Sequence, residues 1–307
     1  MFESAINKVL TDKFYRSYTR TDHIHWPSEA SIVLDGSIIG SCLREGYYKR
    51  RGFKADKEVP IANIRKMRTG KDMEQSEIEL AKEAGLWLAD DVGFQFACDH
   101  IIVSGKVDAI FKGPRDTKVC VEYKTSSGWN FVKRVFGGTG ANRERWAMPK
   151  MEHVMQVMCY LHALPELSYG ILFYINRDNM QTIEHKIELR PDHILINGKR
   201  MDISIKMITD RYKLMTTYLD SNTLPPPDYT AVYKEEDIER LYADKVISKF
   251  EYDRYVSTGE LPGEIRCSWC QWSSTCKATR VASLVEVDPE DRVMEDDTDE
   301  DAPMLVL

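Results

Sequence analysis

The sequence predicts an α/β protein, a mixed central sheet flanked by helices. Three observations point there. Residues 93–124 are rich in β-branched and apolar positions, interrupted by a tight turn at Gly113-Pro114-Arg115-Asp116. Residues 152–164 carry Val154, Met155, Met158, Tyr160 and Leu161 at helical spacing, and the apolar run YGILFYI, residues 169–175, follows directly as a buried strand. Residues 59–88 repeat Ile61, Ile64, Met67, Met73, Ile78, Leu80 and Ala84 in a helical pattern ahead of both. Strands alternating with helices pack as a sheet with helices laid against it.

Length and composition set the frame. The chain has 307 residues and 43% hydrophobic content, enough for one large core. Residues 1–285 are read as one domain and 286–307 as an acidic tail. No apolar run approaches membrane-spanning length, and MFESAINKVLTDKF is charged and amphipathic rather than a signal peptide. The expectation is a soluble, cytoplasmic protein. Seven cysteines in such a chain argue for reduced thiols or metal ligands over a disulfide framework. The net charge of −7 conceals an asymmetry: residues 286–301 hold ten acidic residues and one basic, Arg292. The remainder carries 41 basic and 39 acidic residues, a net +2 that is compatible with nucleic acid if the cations cluster.

Taken in order, residues 1–30 are polar and aromatic without a clear element. Asp35-Gly36 marks a turn, and Ser37 reads as the N-cap of a helix carrying Cys42, Arg44, Tyr47 and Tyr48, closed by Lys49-Arg50-Arg51. Within the helix of residues 59–88 lies Gly70-Lys71-Asp72-Met73-Glu74. A glycine there costs helix stability and marks close approach of another group, and Glu74 stands one turn further on.

The central strands hold the chemistry. Ile101, Ile102, Val103, Val107, Ala109 and Ile110 form the first, and residues 119–124 the second. Alternate side chains of a strand share a face, so Glu122 and Lys124 point the same way, and Asp108 on the neighbouring strand can join them. Two carboxylates and an ammonium at a strand end can hold a divalent cation and activate water. Residues 129–150 then combine Gly137, Gly138 and Gly140 with Lys133, Arg134, Arg143, Arg145 and Lys150 and with Trp129, Phe131, Phe136 and Trp146. A loop both basic and aromatic suits a phosphate backbone and its bases.

In the helix of residues 152–164, Gln156 and Tyr160 lie four apart, on one face. Residues 182–189 alternate like a strand and 202–219 read as a long helix. Pro225-Pro226-Pro227 breaks the chain, and residues 234–258 are charged and helical. Cys267, Cys270 and Cys276 follow as C-x2-C-x5-C. Core packing does not call for three cysteines within ten residues, so this is a metal-binding signal whose fourth ligand lies elsewhere in the chain.

Together, the lone early Cys42, the closing C-x2-C-x5-C, and between them G-x3-E (Gly70, Glu74), D-x13-E-x-K (Asp108, Glu122, Lys124) and Q-x3-Y (Gln156, Tyr160) resemble the RecB-type PD-(D/E)xK nucleases, specifically their iron–sulfur branch. That branch includes CRISPR-associated spacer-processing nucleases, AddB-type nuclease domains and phage exonucleases. The resemblance spans Cys42 to Cys276. It implies a restriction-endonuclease-like core with an Fe–S cluster joining the N-terminal segment to a C-terminal segment, residues 260–280.

By the same resemblance, Asp108 and Glu122, with Glu74 where many relatives have His, would bind Mg2+ or Mn2+. Lys124 would polarise the attacking water. Gln156 and Tyr160 would contact DNA phosphate or hold Lys124. Cys42, Cys267, Cys270 and Cys276 would ligate a [4Fe-4S] cluster, and Cys98, Cys120 and Cys159 fall to the core. The activity implied is a DNA exonuclease of recombination, repair or phage DNA metabolism. One alternative is a CRISPR adaptation nuclease trimming spacer precursors, and another a non-catalytic nucleic-acid-binding protein with a structural zinc. No G-x4-G-K-[ST] occurs, so a helicase, like a recombinase or an integrase, would be a partner.

Overall fold

The structure, a computed structural model, describes residues 2–16, 23–128, 133–137 and 147–281. Among them, eight strands form one mixed sheet in the order β1 (Ile24–His25), β5 (Ile101–Lys112), β6 (Lys118–Ser126), β7 (Leu167–Asn176), β8 (Thr182–Leu189), β9 (Ile194–Ile196) and β10 (Lys199–Met201), with β4 (Trp87–Cys98) also on β5. β6 and β7 are parallel. Parallel neighbours need a crossover, and helix α4 (Met151–Ala163) lies in it. Pro165 stops α4, since the residue before a proline is driven out of helical backbone.

Side-chain alternation assigns the two faces. Cys120, Leu172 and Tyr174 bury against Val154, Val157 and Met158 of α4. Val121, Tyr123, Ile171 and Phe173 pack on the other face with Ile78 of α3 (Ile61–Glu83). The sheet is therefore a middle layer, as the sequence predicts. An N-terminal helix, α1 (Phe2–Arg16), packs on α3, and α5 (Ile205–Asp220) packs on α4 and on the small hairpin β2–β3 (Ser31–Leu34, Ser37–Gly40).

That hairpin corrects one expectation. Ser37 opens a strand rather than a helix. Asp35 (φ 49°) and Gly36 (φ 75°) make a two-residue turn with both residues left-handed, the geometry that pairs twisted strands. The helix begins six residues later as α2 (Leu43–Arg50), with Cys42 at its N-cap.

Where β5 meets its neighbours, the sheet is irregular. One edge of β5 pairs with β1 at Ile102 and Val103 and with β6 only from Ala109 to Lys112. Between those stretches, no rung is formed along that edge among the described residues. The ladder to β4 also skips one opposed pair, Asp91 and Asp108, and Asp91 is left-handed at φ 47°. Amides an even number of residues apart leave a regular strand by the same edge. Yet Ile102 donates to His23 O on the β1 side, while Lys112 donates to Leu86 O on the β4 side. The core shows the same change of parity, running Ile101, Val103, Val107 and then Ile110. Such irregularities re-aim side chains, and this one is centred on Asp108.

Candidate active site

β6 carries Glu122 and Lys124 toward α4, and the carboxylate of Glu122 is held from both sides. Lys124 Nζ bonds one oxygen, and Tyr160 Oη donates to the other at 2.6 Å. Gln156 Nε2 donates in turn to Tyr160 Oη at 2.6 Å. The Q-x3-Y pair thus clamps Glu122 rather than Lys124. Glu122 is 1% exposed and Tyr160 equally buried, so the bond between them lies out of water. Burial and the neighbouring Glu122 carboxylate push the Tyr160 phenol far above its usual range, which keeps it a donor.

Asp108 reaches the same place from β5. Its Oδ2 accepts the Tyr123 amide at 2.9 Å, an amide of β6 left over where β5 has parted from it. Burial, then Glu122 and Glu74, raise its carboxyl from 3.8 to about 8. The site is therefore a desolvated concentration of negative charge short of cations. Burial opposes a charged Lys124, but Glu122, Asp108 and Glu74 outweigh it and hold the ammonium above its usual range.

Glu74 enters from α3 and is 8% exposed. Its helix comes close to β6 at Gly70, where an added Cβ would stand 3.1 Å from Thr125 Oγ1. The glycine marks a close approach, as read from sequence. Burial raises the Glu74 carboxyl, opposed by Lys71, whose Nζ lies 2.5 Å from Glu74 Oε1 and 3.7 Å from Asp91 Oδ1. The sequence assigns no role to Lys71 or Asp91. The skipped Asp91–Asp108 pair is visible only in the ladder, so only Lys71, one turn from Glu74, had a sequence signal. His153 is also missed. It sits on α4 bonded to Tyr174 Oη at 2.8 Å, and burial, Lys124 and Lys150 keep it neutral far below 6.5.

The four motif cysteines converge as well. Cys42, Cys267, Cys270 and Cys276 line one cavity with Arg44, Tyr48 and Tyr229. Cys42 is the N-cap residue of α2; beyond helices α6 (Ile238–Ala243) and α7 (Lys249–Thr258), Cys267 lies in α8 (Ile265–Trp269), Cys270 just after it, and Cys276 in α9 (Ser273–Val281). Other bonds tie these ends. Asp56 accepts the Ser274 and Thr275 amides at the start of α9, Trp272 Nε1 donates to Phe53 O at 2.9 Å, and Leu43 N donates to Asp228 Oδ2 at 2.6 Å. Burial first, then Cys42 and Cys276, raises the Cys267 thiol to about 12. Burial and Glu45 do the same for Cys270. Cys120 and Cys159 are buried and Cys98 packs at the core margin, as expected of core cysteines.

Neither cluster is drawn up as a closed ligand set: among the described residues no three His, Cys, Asp or Glu side chains meet tightly enough to grip an ion. Lys124 pairs with Glu122, and Lys71 with Glu74. Of the basic loop, Lys133 and Arg134 are described and exposed beside buried Val135 and Phe136. Arg143, Arg145 and the acidic tail lie outside the described residues. Among the described residues no helix is long and apolar enough to cross a membrane.

Comparison with protein-family models gives no match, and comparison with curated protein sequences gives none of significance. Solved structures give weak likenesses. The crystal structure of SSO0001 matches with a TM-score of 0.48 at 16% identity, over 91% of this chain and 98% of that one. An alkaline exonuclease, LHK-Exo from Laribacter hongkongensis, matches with a TM-score of 0.38 at 16% identity, over 67% of this chain and 84% of that one.

Proposed function

We propose that the protein is a divalent-metal-dependent DNA exonuclease on a restriction-endonuclease-like core, with an iron–sulfur cluster at its four cysteines. One observation carries the reading. Asp108, Glu122 and Lys124, brought from two strands to the place where the sheet splits, are backed by Glu74 from one face and Gln156–Tyr160 from the other. A solvated surface triplet has no need of that support.

The donor sets fit the implied groups. Carboxylate oxygens suit a hard cation, and the crowding of Glu122 and Glu74 on Asp108, which raises its carboxyl, is the condition such an ion relieves. Asp108, Glu122 and Glu74 would hold Mg2+ or Mn2+, which supplies Lewis acidity toward the scissile phosphate. Four thiols on one cavity suit a [4Fe-4S] cluster, with release of thiol protons on binding. Tying Cys42 to Cys267, so far apart in sequence, restricts the unfolded chain strongly.

The chain's own residues do the rest. Lys124, partly exposed, offers an ammonium to a water or a phosphate oxygen beside Glu122. Tyr160 and Gln156 fix the orientation of Glu122 so that its free lone pairs face the site. Lys71 places a second cation at the mouth, where a DNA phosphate would be drawn in. The test is Mg2+- or Mn2+-dependent degradation of end-labelled DNA by anaerobically purified protein. Lys124→Ala should abolish cleavage while fold and visible absorbance persist. Full activity in that variant would end the assignment, and colourless, inactive, zinc-bearing protein would favour a binding module.

A further inference from the structure

The rungs beyond the skipped Asp91–Asp108 pair form a second feature. Two residues along each strand, about 7 Å, Gly93 stands opposite Lys106, and Phe94–Gly105 and Gln95–Ser104 follow. Trp26, directly after β1, closes the other side. Together these residues line an open hollow of about 600 Å³.

Two glycines take side chains out of its lining. Gly93 has no atom within 4 Å of an added Cβ, so nothing fills its outer face. Gly105 has no room for a side chain, because Phe94 and Pro27 lie against it. Phe94 is 6% exposed and packs edge-on to Tyr160 at 5.3 Å, which joins the floor to the Glu122 clamp. Gln95 and Ser104 bond each other at 3.4 Å, and Gln95 and Lys106 are exposed at the rim. Trp26 is half-buried, and its carbonyl accepts the Tyr212 hydroxyl at 2.8 Å, which anchors the backbone beneath the indole. A half-buried indole, two glycines, an amide, a hydroxyl and one cation make up the chemistry of a base-stacking platform with a phosphate contact.

We propose that this hollow holds one unstacked nucleobase of a single DNA strand against Trp26, with the adjoining phosphate at Lys106. The inference deepens the nuclease reading and rests on it for the identity of the ligand. A base inside a duplex has both faces stacked and its edge paired, so it cannot enter. The site therefore selects single-stranded DNA.

The experiment measures binding of the full chain in the Lys124→Ala background, using a fluorescent single-stranded oligonucleotide and its duplex. Trp26→Ala should weaken single-strand binding about tenfold or more, leave duplex binding unchanged, and be largely rescued in Trp26→Phe. Lys106→Ala should lower the salt dependence of single-strand binding by about one counterion. A single abasic position, walked along the oligonucleotide, should weaken the Trp26 protein at one register and leave Trp26→Ala indifferent. Equal losses on both substrates, no loss, or no single-strand binding at all would overturn the subsite. Trp26-dependent binding by a protein that cleaves nothing would instead overturn the nuclease activity and keep the subsite.

Discussion

The Asp108 carboxylate accepts the backbone amide of Tyr123 at 2.9 Å, just past the last rung that joins β5 to β6. One bond thus serves two ends. It satisfies an amide that lost its strand partner, and it aims an acid at Glu122 across the opening. A buried amide without a partner would cost about 1–3 kcal/mol, so the split in the sheet and the placement of Asp108 depend on each other.

The raised carboxyl of Asp108 predicts the direction of a pH effect on the metal-free protein. Between about 4 and about 8 the folded state keeps a proton that the unfolded state has released, so this group lowers stability as pH rises through that window. Asp108→Asn removes the effect. Its melting temperature in chelator should rise relative to wild type on going from pH 5 to pH 8.5. A gap that narrows or reverses over that range would contradict the assignment of this charge.

Tyr160→Phe removes the donor to Glu122 and leaves the ring in place against Phe94. A buried carboxylate that loses a hydrogen bond costs about 1–3 kcal/mol. Cleavage should fall roughly ten- to a hundredfold through kcat, with KM for DNA little changed, since Tyr160 is too buried to touch substrate. Steady-state kinetics on a single-stranded substrate measures this, and a loss confined to KM would place Tyr160 on the DNA instead.

Arg44 predicts a property of the cysteine cavity. Its Nη1 lies 3.9 Å from Cys276 Sγ and 3.3 Å from Thr279 Oγ1, while its Nε donates to Pro225 O at 2.7 Å. A guanidinium hydrogen bond to a ligating sulfur raises a cluster's reduction potential. Arg44→Gln should therefore shift the potential of a bound cluster downward in a redox titration and shorten its life in air. Cys276→Ser should lose the visible absorbance altogether. An unchanged potential in Arg44→Gln would sink the first expectation, and full absorbance in Cys276→Ser the ligand assignment.

Gly170 tests how closely α4 must sit on the sheet. An added Cβ would collide with Val157 Cγ1 on α4 and stand 3.0 Å from Cys120 Sγ. Overpacking of this kind costs about 1–3 kcal/mol, and it presses Val157, and with it α4, away from the sheet. Gly170→Ala should lower the melting temperature and also cut activity, because Gln156 and Tyr160 ride on that helix. Unaltered stability would mean the helix has slack.

Histidine 25 supplies a stability prediction away from the site. It is 1% exposed, shares a 2.9 Å hydrogen bond with Thr216 Oγ1, and is held neutral down to about 3, chiefly by burial and then by Arg50. The unfolded chain takes up a proton near 6.5 that the folded state refuses, so stability present at pH 7 drains away as pH falls toward 3. Acid melts of wild type should be steeper than those of His25→Phe.

Much of the architecture was legible because its signals are local. The α4 stripe, the apolar β7 run and the strand–turn–strand around Gly113 each follow from periodicity and turn chemistry in a short window. Ser37 shows how such reading fails. An Asp-Gly turn and an N-cap serine look alike until the partner strand is known, and pairing across Asp35-Gly36 is what decides for the hairpin. Asp108, Glu122 and Lys124 were nameable from strand alternation, and Gln156 and Tyr160 through the family resemblance. Lys71 had only its place one turn from Glu74, and Asp91 and His153 had no signal, because they join the site through the ladder gap and helix packing.

What one dimension holds, then, is the set of reactive side chains and the elements that carry them: period two and period 3.6 are written into the order of residues. Three-dimensional packing settles which groups share a dielectric environment. Asp108 is an ordinary aspartate in sequence. It becomes an acid raised to about 8 because a double irregularity turns it inward, beside Glu122 and beneath Glu74, where water no longer screens their charges.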